Sequence, residues 1–193
     1  MQVLKDEVRN SILRCARTVF LDRGFGKTSM KDIAAKAGVA VGNLYRYFPN
    51  KEYLFDAVVS PVYDQLMELM IVNEQEFIDA AGVIDRLSHI FAELAYENRE
   101  GLLILLYKSS GTPFAGTKEE FIIRLTEQMD THLYEYNRKH SSDPLDLLIS
   151  RPIAIAFLEG YFDIIRTFNS RNVIQEATKH YIAVWFMGLK AVL

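Results

Sequence analysis

The chain has 193 residues, half of them apolar, a net charge of −3 and one cysteine. That is ample for a core in one large domain or two small ones, and it rules out an intrachain disulfide. The charged N-terminus MQVLKDEVRN lacks an apolar signal region and no apolar run reaches the length of a bilayer span, so a cytoplasmic protein without a membrane partner is expected. The charge is unevenly spread: residues 1–55 hold ten Lys/Arg against five Asp/Glu, and residues 56–193 hold twelve against twenty. A basic head on an acidic body is the asymmetry of a chain that meets phosphate at one end only.

Strand signals are almost absent and helix signals occur throughout, so the expected fold is all-α, with about nine helices. The first helix is predicted over residues 6–22, ending at Gly24, with Cys15 a small apolar side chain among Ile12, Leu13, Ala16, Val19 and Phe20. Residues 28–51, TSMKDIAAKAGVAVGNLYRYFPNK, read as two short helices around a tight turn. Ile33, Ala37, Val39, Leu44 and Phe48 are spaced to bury one side of each helix, Ala34 is small where they cross, and Gly38 falls where the turn tolerates positive φ. Ala40, Val41, Gly42, Asn43, Tyr45, Arg46 and Tyr47 are left facing outward, a mixture suited to a DNA groove: a helix-turn-helix.

Asn50 caps a long fourth helix with Leu54, Val58, Val62, Leu66 and Met70 on its apolar face and Pro61 inside it, expected to bend it. The domain junction is placed on this helix, giving a DNA-binding domain over 1–55 and an effector-binding and dimerisation domain over 56–193. A fifth helix is predicted over 83–98, a sixth over Leu102–Tyr107, and SSGTPFAGT as a loop. Thr117 and Glu120 form a capping box for the seventh, Asp143-Pro144 starts the eighth as N-cap and first helical residue, and Asn172 and Gln175 start the ninth. The eighth (Leu145 to Phe168) and ninth are apolar nearly all round, which demands cover on every side. A second copy of the chain supplies it, through Phe157, Tyr161, Ile165, Tyr181, Trp185, Phe186 and Leu189.

From Ile12 to Val58 the chain resembles the N-terminal domain of the tetracycline-repressor (TetR) family. The likeness rests on Gly24-Phe25, Thr28-Ser29, Ile33-Ala34, Ala37-Gly38-Val39, Leu44-Tyr45-Arg46-Tyr47-Phe48 and Lys51-Glu52. Ala40 and Val41 depart from the polar residues common in the family, which removes a helix N-cap and makes base reading less polar. The resemblance implies a homodimeric regulator held by its last two helices. It further implies repression at a promoter, released when a small molecule enters a pocket in the body.

By role, Thr28, Ser29, Tyr47 and Lys51 suit phosphate oxygens, Asn43 an adenine edge, and Val41 and Tyr45 a thymine methyl. Gly42 allows close approach, Arg46 reaches guanine or phosphate, and Lys31 either. Phe91, Tyr107, Gln128, His132, Glu159 and Phe162 are the candidates for lining an effector pocket, and the acidic body favours an apolar or amphipathic ligand. The four histidines form no H-E-x-x-H pattern, and neither a P-loop nor a G-x-G-x-x-G run is present. No enzyme, metal or cofactor is expected. Two rivals stay open: an effector-independent activator or architectural protein, and an enzyme or carrier with a relic helix-turn-helix.

Overall fold

The computed structural model describes residues 2–69, 80–140, 142 and 144–192. Among these it is all-helical, with nine α-helices: α1 (Gln2–Lys27), α2 (Met30–Ala37), α3 (Val41–Tyr47), α4 (Lys51–Leu69), α5 (Ala80–Glu97), α6 (Arg99–Tyr107), α7 (Thr117–Lys139), α8 (Ser150–Thr167) and α9 (Arg171–Val192). The chain forms two compact units, one of residues 1–67 and 100–117, the other of residues 68–99 and 118–193. They do not divide at residue 55. The chain crosses between them in the last turn of α4, at the start of α6 and at the start of α7.

The first unit is built on α1. Its Ile12, Ala16, Val19 and Phe20 recur at helical spacing and are buried against Ile33 and Ala34 of α2, Leu44 of α3, Phe48, and Leu54, Phe55, Val58 and Val59 of α4. Gly24 (φ 74°) breaks α1, and only glycine takes that left-handed conformation without cost. The break turns Phe25 into the core, with its ring edge-on to Phe55 at 5.1 Å. α2 opens with a reciprocal capping box between Ser29 and Asp32 and closes on Gly38 (φ 66°), whose N–H returns to Ala34 and Ala35. α3 begins at Ala40 with no side-chain cap, as an alanine there dictates. Asn50 caps α4, its side-chain oxygen accepting the Tyr53 N–H at 2.7 Å.

The segment 100–117 belongs to this unit, although its sequence reads as part of the body. Ile104 and Leu105 complete the core, and the Lys108 carbonyl accepts the Phe25 N–H at 2.9 Å. Phe114 packs on Phe55 and Tyr63.

In the second unit α5 pairs with α9, and α8 lies against α9. The centre is aromatic: Tyr161 is fully buried, edge-on to Phe91 at 4.9 Å, and donates its hydroxyl to the Phe91 carbonyl at 2.8 Å. Burial pushes the phenol well above its ordinary pKa. Arg99 donates to the carbonyls of Arg166 and Phe168 and so satisfies the end of α8. Arg171 pairs with Glu93 and Glu97, fixing the start of α9 against α5.

Three predicted starts move. Thr117 does not act as a cap: it is the first residue of α7 and donates its hydroxyl to the Phe114 carbonyl at 2.8 Å, at the end of a 3-10 turn over Pro113–Gly116. α8 starts at Ser150, not at Leu145. The Asn137 side chain exchanges two hydrogen bonds with Leu145, holding that residue in loop, and Asp146 then caps a 3-10 turn over Leu147–Ile149. α9 starts at Arg171, with the Ser170 carbonyl accepting the Ile174 N–H at 2.9 Å. Asp143 and Met70 lie outside the described residues, as does the side chain of Leu189.

Candidate nucleic-acid interface

The helix-turn-helix presents α3 on a buried base. Leu44 and Phe48 are fully buried, which holds the opposite face of α3 outward. On that face Ala40, Gly42, Tyr45 and Arg46 are exposed and Asn43 is half-buried. Val41 and Tyr47 are half-buried and pack on the core, so only part of each side chain is left for a ligand. Ser29 and Lys31 are exposed at the start of α2.

Two residues expected at phosphates are turned inward. Thr28 is 3% exposed and donates its hydroxyl to the Gly24 carbonyl at 2.7 Å, closing the turn that follows the break in α1. Lys51 donates to the carbonyls of Phe25 and Thr28, each at 2.9 Å, with its ammonium 4.1 Å from the centre of the Phe25 ring. Carbonyls of the α1–α2 turn claim both groups, because buried backbone acceptors seek donors. Arg9, which the sequence reading passed over, lies on α1 with its guanidinium 5.3 Å from the ring centre of Phe48, at the end of α3. No local pattern signals it, since the pairing is made only by the fold.

The start of α2 is electrostatically balanced. Asp32 accepts from the Ser29 hydroxyl and N–H and pairs with Arg23 at 3.1 Å. The Ser29 hydroxyl first, then its N–H, with help from Arg23, hold the Asp32 carboxyl below the usual aspartate range. A depressed carboxyl contributes stability that is present above the unfolded pKa and is lost as pH falls through the folded one. The capping box is therefore expected to be intact above the ordinary aspartate pKa of about 3.9 and to open only at lower pH. A pH titration of the Ser29 amide resonance checks this. A midpoint at or above the ordinary value contradicts it.

The residues expected at an effector pocket fall in different environments. Phe91 and Phe162 are core, at 6% and 0% exposure. Gln128 is half-buried, whereas His132 and Glu159 are on the surface, Glu159 paired with Lys118 at 3.1 Å. Tyr107 belongs to the first unit. A cleft of about 330 Å³ opens in that unit, lined among others by Asn50, Glu52, Tyr53 and Phe114 and by none of the six candidates. The expected dimer face separates into two sets. Tyr161 and Ile165 are fully buried inside their own unit and are withdrawn from it. Phe157, Tyr181, Trp185 and Phe186 are half-buried, and the first three cluster by ring contacts, Phe157 lying 5.7 Å from both Tyr181 and Trp185. Beside them Val184 and Met187 of α9 are 66% and 60% exposed. Among the described residues no His/Cys/Asp/Glu group is arranged to hold a metal ion, and no helix is long and apolar enough to cross a membrane.

An all-helical chain that lifts a short second helix of a helix-turn-helix from a buried base has the architecture of a DNA-binding regulator. Residues 12–58 match the family of bacterial regulatory proteins, tetR family. The chain is 31% identical over 100 residues to the HTH-type transcriptional repressor KstR2 of Mycolicibacterium smegmatis, covering 50% of this chain and 47% of that one. It spans about half the length of the curated relatives it matches. A TetR transcriptional regulator family member from Streptomyces coelicolor has the same fold at 19% identity, with a TM-score of 0.70 over 92% of this chain and 90% of that one. The regulator FadR of Bacillus subtilis, solved in complex with stearoyl-CoA, superposes with a TM-score of 0.57 at 18% identity, over 92% and 97%. Residues 12–58 are thus similar to the family's DNA-binding domain, and the fold of the chain is shared with solved TetR-family regulators.

Proposed function

We propose that this chain is a cytoplasmic, dimeric transcriptional regulator, a repressor that leaves a palindromic operator when its body takes up a small apolar or amphipathic effector. The exposed face of α3, with Ala40, Gly42, Asn43, Tyr45 and Arg46 projecting from a fully buried base in the basic part of the chain, carries this reading. DNA binding belongs to residues 1–55, while effector binding and dimerisation belong to residues 56–193, of which 56–67 and 100–117 share a compact unit with the head. Phosphate contacts fall to Ser29, Lys31 and Arg46, the exposed polar and cationic groups of α2 and α3. The apolar interior of the body and the acyl ligand of FadR support an amphipathic effector. The half-buried rings of α8 and α9 support a second copy as partner.

Selection from random-sequence duplex DNA tests the reading. Two-fold symmetry requires an inverted repeat, with half-site centres about one helical turn or slightly more apart. A motif without dyad symmetry, or none, contradicts it. Asn43→Ala is expected to cost about 1–3 kcal/mol per half-site and to relax one base position in each, as loss of an amide–adenine pair does. An unchanged motif places Asn43 off the bases. Addition of long-chain acyl compounds to the selected complex tests the effector class by release of the duplex.

A further inference from the structure

The proposed DNA contacts depend on how the start of α2 is held, and the residue that holds it lies on α4. We infer that Lys51 is a positioning residue, raising DNA affinity by fixing the α1–α2 turn and not by meeting phosphate. The inference rests on the DNA-binding reading above and adds a role inside that site.

The ammonium has three N–H donors. Two go to the Phe25 and Thr28 carbonyls at 2.9 Å, and the same charge lies 4.1 Å from the centre of the Phe25 ring. These carbonyls belong to the turn between the break at Gly24 and the first residue of α2; the Phe25 carbonyl also accepts the Thr28 N–H at 3.2 Å, so Lys51 joins both ends of that turn. Thr28 is buried, so water does not replace the lost donor. Phe25 is tied on its other side as well, its N–H donating to the Lys108 carbonyl at 2.9 Å. The next residue, Ser29, opens the capping box, its N–H donating to the Asp32 carboxylate and its hydroxyl oxygen accepting the Asp32 N–H. Lys51 thus holds the backbone from which Ser29 and Lys31 project. A phosphate would have to compete with two carbonyls and a ring for a half-buried ammonium.

Lys51→Met in the full chain keeps the length and most of the volume and removes the donors. The probe is the duplex selected with the parent chain. Because two bonds from a charged donor disappear, affinity is expected to fall by about tenfold or more at every salt concentration. The slope of log K against log salt stays that of the parent. Without DNA, hydrogen exchange at the Ser29–Asp32 amides accelerates. The inference is overturned if the slope becomes shallower by about 0.9 for each lysine lost while that exchange is unchanged. If the parent selects no duplex, the DNA-binding reading fails separately, and exchange at Ser29–Asp32 alone decides: acceleration supports the positioning role and no change overturns it. If Lys51→Met does not fold, the side-chain ammonium resonance of the parent decides. A signal protected from exchange and unmoved by duplex supports the role, and one that exchanges like an exposed lysine and moves on DNA binding overturns it.

Discussion

Truncation of Phe55 to alanine is expected to destabilise the first unit by about 3–5 kcal/mol, the loss of a large buried ring that its surroundings cannot refill. The ring is 1% exposed. It stands edge-on to Phe20 at 5.0 Å and to Phe25 at 5.1 Å, and meets Phe114 at 6.3 Å. These partners come from α1, the α1–α2 turn and the 100–117 segment, so the side chain joins pieces that the sequence keeps far apart. Edge-on aromatic pairs each add about 0.5–1.5 kcal/mol beyond area. Hydrogen exchange at the α1 to α4 amides is the measurement of choice. The only tryptophan, Trp185, lies on α9 in the second unit, and its fluorescence does not report on the first. A change below about 1 kcal/mol, the scale of a conservative core swap, would contradict the central place given to Phe55.

How much of this was legible in the residues depends on the range of the forces involved. The turn at Gly38 and the cap at Asn50 were readable because each is fixed within a few residues. The start of α8 was misread by the same local logic. Asp143-Pro144 is a sound opening for a helix, yet the Asn137 side chain takes both backbone groups of Leu145 and delays the helix to Ser150. Thr28 and Lys51 show the limit in the site itself. A hydroxyl and an ammonium near a recognition helix suit phosphate by type. Which acceptor they meet is set by carbonyls of the α1–α2 turn, and these come within reach only once Gly24 breaks the helix. The placement of residues 100–117 beside the head was invisible for a related reason: their apolar residues advertise burial, not the surface they are buried against.

The same limit divides the last two helices. Their all-round apolar character was legible, but Tyr161 and Phe157, one turn apart, have different fates, because Tyr161 bonds to a carbonyl seventy residues earlier. What remains uncovered on α9 is a sharper guide to the partner than the sequence pattern: Val184 and Met187, exposed beside half-buried Trp185 and Phe186. Val184→Glu combined with Met187→Glu is therefore expected to convert the proposed dimer to monomers. Both side chains lie outside their own core, so the folded chain tolerates the change, whereas an apolar interface would have to bury two unpaired carboxylates. Monomers lose the gain from engaging two half-sites at once, and affinity for the selected duplex is expected to fall by about a hundredfold or more. Light scattering of the double variant beside the parent, with duplex titrations of both, measures the two effects separately. A dimer mass retained in the variant places the interface elsewhere. A monomer that keeps the parent's affinity would show that each chain reads DNA alone, and with that the demand for a palindromic operator would fall.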